Sequence, residues 1–464
     1  MYPRLTEDRD RLPVLLEMAT AYAASVFENM DSASVAAPLG TLDPSTLSSA
    51  GIGAEQALQL FTDSIAPSLP VSAGPRYLGF VTGGATPAAV IGDWLATVFD
   101  QNSVSRLDGS TALQLEQDTI SMLRDLFSLP DQFAGSFVTG ATMSNFVGLA
   151  LAREWAGREH GIRVSDEGIA ALPSITILAA TPHSSSTKAL SMLGLGRDAW
   201  QKVACLPSRE AIDVLALERL LAEASGPCVV IASAGTVNTG DFDDLKALAR
   251  LKETHGFWLH IDAAFGGFAS LSPQLQPLLE GWECADSICI DLHKWLNVPY
   301  DSAVVFTRHR DLQVDVFSNV SAYLGEPSQD PEPIHLVPEN SHRWRALPTW
   351  FSLTAYGPEG YREIVERDCL LARMLGERIE QSELFDLLAP VRLNIVCFAP
   401  RKPGVSDRLI ATVRDEGRTF VTPTVLHETP AIRAAFSSWR TTETDLDVVW
   451  EALVKAAEQL LRRS

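Results

Sequence analysis

The feature of this sequence that most narrows its fold is a series of short apolar runs. They fall at 135–138, 175–179, 228–232, 258–261, 287–290 and 303–306. Each is four or five residues long and mostly apolar rather than alternating, which marks strands buried on both faces. Helical stretches such as 114–127 and 144–155 lie between them. Short buried strands between helices specify an α/β chain with a mostly parallel sheet flanked by helices.

Other patterns lie on either side. An amphipathic helix is expected over 10–30, a loop over 36–53 and a helix over 54–64. Beyond residue 347 come a long helical region, short strands at 393–398 and 419–421, and a closing helix over 444–461. The expected organisation is an N-terminal helical segment (1–85), a large α/β unit (86–345) and a small α+β unit (346–464).

Composition excludes several classes. The 464 residues are 46% hydrophobic and 20% charged, as in a folded protein, and the net charge of −21 disfavours nucleic acid and anionic membranes. The six cysteines form no C-x-x-C pair, and no histidine cluster has zinc spacing. Buried thiols, a reducing cytoplasmic compartment and no metal are therefore expected. The N-terminus has no basic region followed by an apolar one, and no apolar run approaches the roughly 20 residues that span a bilayer.

The chemistry-bearing residues follow the apolar runs. Asp291-Leu292-His293-Lys294-Trp295 comes directly after 287–290. A lysine at the end of a buried strand is costly unless paired or chemically used, for instance as an imine with a carbonyl cofactor. Taken alone it reads as a surface lysine. Asp262-Ala263-Ala264 follows 258–261; an aspartate there either caps the next element or keeps a pyridine nitrogen protonated, beside an Ala264 small enough for a flat ring. Thr139-Gly140-Ala141-Thr142 opens a helix, an anion site or simply a helix start. His183 after 175–179 is a stacking residue or a structural one, and Thr236 follows 228–232. All lie at the C-terminal ends of predicted strands, where open α/β sheets bind ligands.

In this order the segments resemble the pyridoxal-phosphate-dependent group II amino acid decarboxylases, of the aspartate-aminotransferase type (fold type I). The resemblance runs from Gly74-Pro75-Arg76-Tyr77-Leu78-Gly79-Phe80 to Thr441-Thr442-Glu443-Thr444-Asp445 and is most specific at His293-Lys294-Trp295 and Asp262-Ala263-Ala264. It implies that Lys294 holds pyridoxal 5'-phosphate as a Schiff base and that Asp262 pairs with the ring nitrogen. It implies that His183 and Ala264 cover the two ring faces. Ala141 and Thr142 would bind the phosphate, with His293 and Asp291 nearby, and Thr236 would meet the ring hydroxyl or the substrate carboxylate. Phe80 and Thr82 would line the substrate pocket and Arg345 would organise it. A homodimer with shared active sites is implied, acting on an amino acid as a carboxy-lyase.

One departure bears on chemistry. The family's mobile loop carries a tyrosine that protonates Cα, but 325–342 contains none. His335 is a candidate donor, since histidine's reference pKa of about 6.5 suits the task; an exposed loop histidine is the plain alternative. The same absence admits an oxidative decarboxylase (aldehyde synthase). Another Cα or Cβ lyase, an aminotransferase, and a catalytically silent cofactor-binding partner protein also remain open. Met143 and Pro348 stand where the family often has Glu and Lys.

Overall fold

The computed structural model describes residues 1–36, 46–47, 49–106, 111–321 and 327–462. Most of the expected loop 36–53 lies outside the described residues, as do residues 322–326 at the start of the family's loop region.

Each of the six apolar runs is a strand. β1 is Ala134–Val138, β2 Thr176–Ala179, β3 Trp200–Lys202, β4 Cys228–Ser233, β5 Trp258–Asp262, β6 Ser287–Ile290 and β7 Ala303–Thr307. They form one sheet in the order β1-β7-β6-β5-β4-β2-β3. Pairings are parallel from β6 through β3, and β7 runs antiparallel to both its neighbours. The mostly parallel α/β expectation therefore holds. The strand not foreseen, β3, is a three-residue edge with exposed Gln201 and Lys202, which lacks an apolar signal.

Helix Ala141–Glu159 lies directly on the sheet. A Cβ at Gly148 would come within 2.7 Å of the His260 ring, so this close approach requires glycine.

The second sheet has four antiparallel strands in the order β10-β11-β9-β8: β8 is Phe385–Leu387, β9 Ile395–Pro400, β10 Thr422–Leu426 and β11 Thr429–Ala435. The strand expected at 419–421 is corrected here. Phe420 makes only an isolated bridge to Tyr77, with the two rings stacked 4.7 Å apart, and the strand begins at Thr422. The hairpin β10–β11 turns at His427 and Glu428, both with positive φ. Such turns usually carry Asn-Gly, so this pair gives no sequence signal.

Helix Ala346–Glu380 ties the units together. It bends at Gly357-Pro358, where Gly357 has φ 60°. Its Leu353, Tyr361, Ile364, Val365 and Cys369 join the large core, whereas Leu371, Ala372, Leu375 and Ile379 join the small one. The limit expected at 345–346 marks the start of this helix; the two cores part further along it. Four cysteines are buried, but Cys205 and Cys284 are half-exposed. Among the described residues no helix is long and apolar enough to cross a membrane.

The same helix anchors the turn that carries Lys294. Asp368 Oδ2 accepts a hydrogen bond from Trp295 Nε1 at 2.8 Å. Burial pushes the Asp368 carboxyl up to about 8, against the opposing Trp295 bond and Arg367. In the unfolded chain the group ionises near pH 3.9, so folding holds a proton that unfolding releases. Its effect is a loss of stability as pH rises from about 4 towards 8. Asp368→Asn should flatten this. In denaturant titrations, the stability of the original chain relative to the variant should fall by on the order of a few kcal/mol across that window. Parallel pH curves would exclude a protonated Asp368.

Candidate active site

Because β2, β4, β5 and β6 are parallel, the residues at their C-terminal ends gather along one edge of the sheet. His183 follows β2, Thr236 follows β4, Asp262 ends β5 and Lys294 follows β6. They open into one cleft of about 380 Å³. Of the residues singled out from sequence, Phe80, Thr82, His183, Thr236, Asp262, Ala264, His293 and Lys294 line it.

Lys294 sits in the single helical turn Leu292–Trp295, held by the fully buried Leu292 and Trp295. Its Nζ is 3.6 Å from Asp291 Oδ2 and 5.6 Å from the centre of the Phe265 ring. Asp291 lies beneath the cleft rather than in its wall. Burial raises its carboxyl above the usual range, opposed by Lys294, His293 and the Ala141 backbone. Asp262 is buried at the floor, with Oδ2 accepting from Asn145 Nδ2 at 3.0 Å and Oδ1 from Ala264 N at 3.3 Å. Burial pulls both His183 and His293 below the ordinary histidine range.

Thr236 is already engaged, its hydroxyl donating to Glu210 Oε2 at 2.6 Å. Phe80 stands at the cleft mouth, 58% exposed, with a left-handed φ of 55°. Such a conformation is strained for an aromatic residue and is held only by its surroundings. Ala141 and Thr142 begin helix Ala141–Glu159 just behind the wall, where Gly140 faces the His293 ring and Ala141 packs with Ala264 and Cys289.

Besides Asp291, Ala141 and Thr142, two further expected residues are not brought to the cleft wall. His335 lies in the short turn Pro333–His335, 3% exposed, where its Nδ1 accepts from Asn319 N at 3.1 Å. It is neither an exposed loop histidine nor a neighbour of Lys294 in this chain. Arg345 is buried one step behind: its Nε donates to Asp301 Oδ1 at 3.0 Å, and Asp301 adjoins the cleft residue Tyr300.

Residues absent from the sequence reading complete the cleft. Arg433 enters from β11, with Nη1 donating to Val237 O at 2.7 Å and Nε buried without a partner. A lone arginine inside the apolar run Ala431-Ile432-Arg433-Ala434-Ala435 was the available signal. Tyr300 also lines the cleft, 63% exposed, with its ring 4.4 Å from that of His293; partial desolvation, and after it the Asp291 charge, raises its hydroxyl above the ordinary tyrosine range.

These features suit a flat, anionic, carbonyl-bearing pyridine. A lysine and a buried carboxylate face one cleft, small Ala264 leaves room for a ring, and a helix N-terminus lies behind the wall.

Comparison with known proteins agrees. The family model described as the pyridoxal-dependent decarboxylase conserved domain matches residues 40–401. An aromatic-L-amino-acid decarboxylase of Bacillus atrophaeus is 28% identical over 405 residues, covering 83% of this chain and 82% of that one. Its namesake in Drosophila lebanonensis is 26% identical, covering 82% of this chain and 97% of that one. The solved structure of Oryza sativa TDC with PLP and tryptamine superposes with a TM-score of 0.88 at 21% identity, covering 97% of this chain and 98% of that chain. The protein belongs to the pyridoxal-dependent decarboxylase family and is a pyridoxal-phosphate enzyme that decarboxylates an amino acid.

Proposed function

We propose that the protein removes the α-carboxylate of an aromatic L-amino acid. The observation that carries this reading is the charge pattern of the cleft. Besides its two histidines, the basic side chains lining it are Lys294 and Arg433, and the buried Nε of Arg433 has no partner. We assign Arg433 to the substrate carboxylate. With both cations engaged, Phe80, Val81, Val237, Phe265 and Tyr300 leave an apolar, aromatic surround for the side chain. The names of the two curated relatives support the same substrate class.

When bound, pyridoxal phosphate supplies a carbonyl that condenses with amines and a ring that takes up the electron pair left by departing CO2. In this reading Lys294 holds the cofactor, Asp262 meets the ring nitrogen, and His183 and Ala264 cover its faces. Ala141 and Thr142 meet the phosphate, with Asp291 and His293 below. Thr236, its proton committed to Glu210, offers a lone pair to the ring hydroxyl. Phe80 and Thr82 bound the substrate, and Arg345 fixes the Tyr300 segment through Asp301.

Purified, cofactor-loaded protein should be presented with aromatic, acidic, basic and aliphatic L-amino acids while CO2, amine, aldehyde, peroxide and keto acid are followed by mass spectrometry and a peroxide assay. We expect amine and CO2 from an aromatic substrate, with Arg433→Leu raising KM at least about tenfold. Preferred turnover of an acidic or basic amino acid would overturn the substrate class. Keto acid without CO2 would overturn decarboxylation. Aldehyde with peroxide would favour the oxidative reading that the missing loop tyrosine admits.

A proton must still reach Cα. Within the described chain Tyr300 lines the cleft and keeps its proton at neutral pH, whereas His335 lies elsewhere. Tyr300→Phe should lower kcat by about 10²-fold or more and leave KM nearly unchanged. An unchanged kcat would remove Tyr300 from the role.

A homodimer also fits. The helices Pro3–Asp10 and Leu12–Asn29 bury no residue, and Leu12, Val14, Leu16, Val26 and Phe27 stay exposed. Sedimentation velocity should report a dimer, and a monomer at micromolar concentration would refute it.

A further inference from the structure

Below the cleft floor lies a buried polar row that the roles above do not use. Asn145 and His260 are both fully buried. Asn145 Nδ2 is 3.0 Å from Asp262 Oδ2 and 3.0 Å from Ser185 Oγ, while its Oδ1 is 2.8 Å from His260 Nε2. On the far side, His260 Nδ1 is 2.8 Å from Ser287 Oγ, which receives the Trp258 indole N–H at 3.1 Å.

The direction of every bond in the row is determined. The Asp262 carboxylate can only accept, so the Asn145 NH₂ faces it and Asn145 Oδ1 faces His260 Nε2; Nδ1 of the neutral imidazole then accepts from Ser287 Oγ, which itself accepts the Trp258 indole N–H. The imidazole proton sits on Nε2 and goes to Asn145 Oδ1. The amide is oriented with its NH₂ towards Asp262 and Ser185. The opposite orientation would set the amide oxygen against the Asp262 carboxylate, two acceptors 3.0 Å apart.

A second branch runs from the same amide. Ser185 Oγ accepts from Asn145 and passes its proton to His183 Nδ1 at 2.7 Å, where the Ser185 N–H also ends at 3.2 Å. The proton of His183 is left on Nε2.

We propose that Asn145 and His260 are positioning residues which, through one buried amide, fix both the direction of the Asp262 carboxylate and the tautomer of His183. This rests on the reading that Asp262 and His183 face the cofactor ring. Burial favours the neutral imidazole that the row requires, pulling His260 down to about 4. Gly148 lets the helix bring Asn145 this close to β5. A fully satisfied buried network of this kind holds its end groups in one geometry, and outer partners that orient site ligands typically contribute 10- to 100-fold.

The test compares Asn145→Ala, His260→Leu and His260→Gln with the original chain. Gln keeps a donor near the Nε2 position; Leu keeps volume but no donor. The readouts are the pyridoxal phosphate dissociation constant by titration, the visible absorption of the bound cofactor without substrate, thermal stability, and kcat against KM. We expect Asn145→Ala and His260→Leu to weaken cofactor binding at least about tenfold, shift the visible band and lower kcat more than they change KM. His260→Gln should recover most of the affinity and the band. The proposal is overturned if Asn145→Ala stays within about twofold of the original, or if Gln and Leu at 260 behave alike. Should Asn145→Ala fail to fold, the Gln and Leu pair decides alone. Asp262→Asn separates the two levels. If it weakens cofactor binding while Asn145→Ala does not, the positioning inference fails; if it too has no effect, the ring-facing reading fails first.

Discussion

A carboxylate buried at the end of a central strand is tolerated only when its oxygens are partnered. Asp262 meets this condition through Asn145 and the Ala264 N–H, and much of the large unit is arranged so that it can. The helix bearing Asn145 must lie close on β5, which Gly148 permits. His260, Ser287 and Trp258 then fill the interface between β5, β6 and that helix with polar groups that satisfy one another. A fully apolar interface would pack as well but would leave the Asp262 carboxylate short of a donor.

The parallel order of the sheet converts this local requirement into a cleft. Strand ends that point the same way deliver His183, Thr236, Asp262 and Lys294 to one edge, although 111 residues separate His183 from Lys294 in the chain. The small unit supplies the opposite wall. Arg433 reaches in from β11, and the Phe80 segment joins the same side through bonds between Leu78 and both Phe420 and Ala435. Lys294 itself depends on the long bent helix, because the next residue, Trp295, is anchored on Asp368. The turn that bears Lys294 is therefore fixed to the part of the long helix that packs in the large core.

The sequence alone determined the strands of the large sheet, since buried runs such as 228–232 and 258–261 are apolar whatever surrounds them, and a strand between helices has few alternatives. It also determined which strand ends carry His183, Asp262 and Lys294, because polar residues directly after such runs are visible locally. Edge strand β3 and the turn of hairpin β10–β11 were not legible, for β3 carries no apolar run and His427-Glu428 is no usual turn signature. Only the tertiary structure decided which polar side chains share a site. Arg433, Tyr300 and Asn145 come from segments spread over nearly 290 residues; Arg433 stood out only as a lone charge in an apolar run, and nothing local distinguishes Tyr300 or Asn145 from residues that cap a helix or meet solvent. It likewise withdrew His335 into a buried turn of its own. Short-range pattern fixes elements because burial is local and periodic. Sites depend on which faces meet, and that is set by packing over the whole chain.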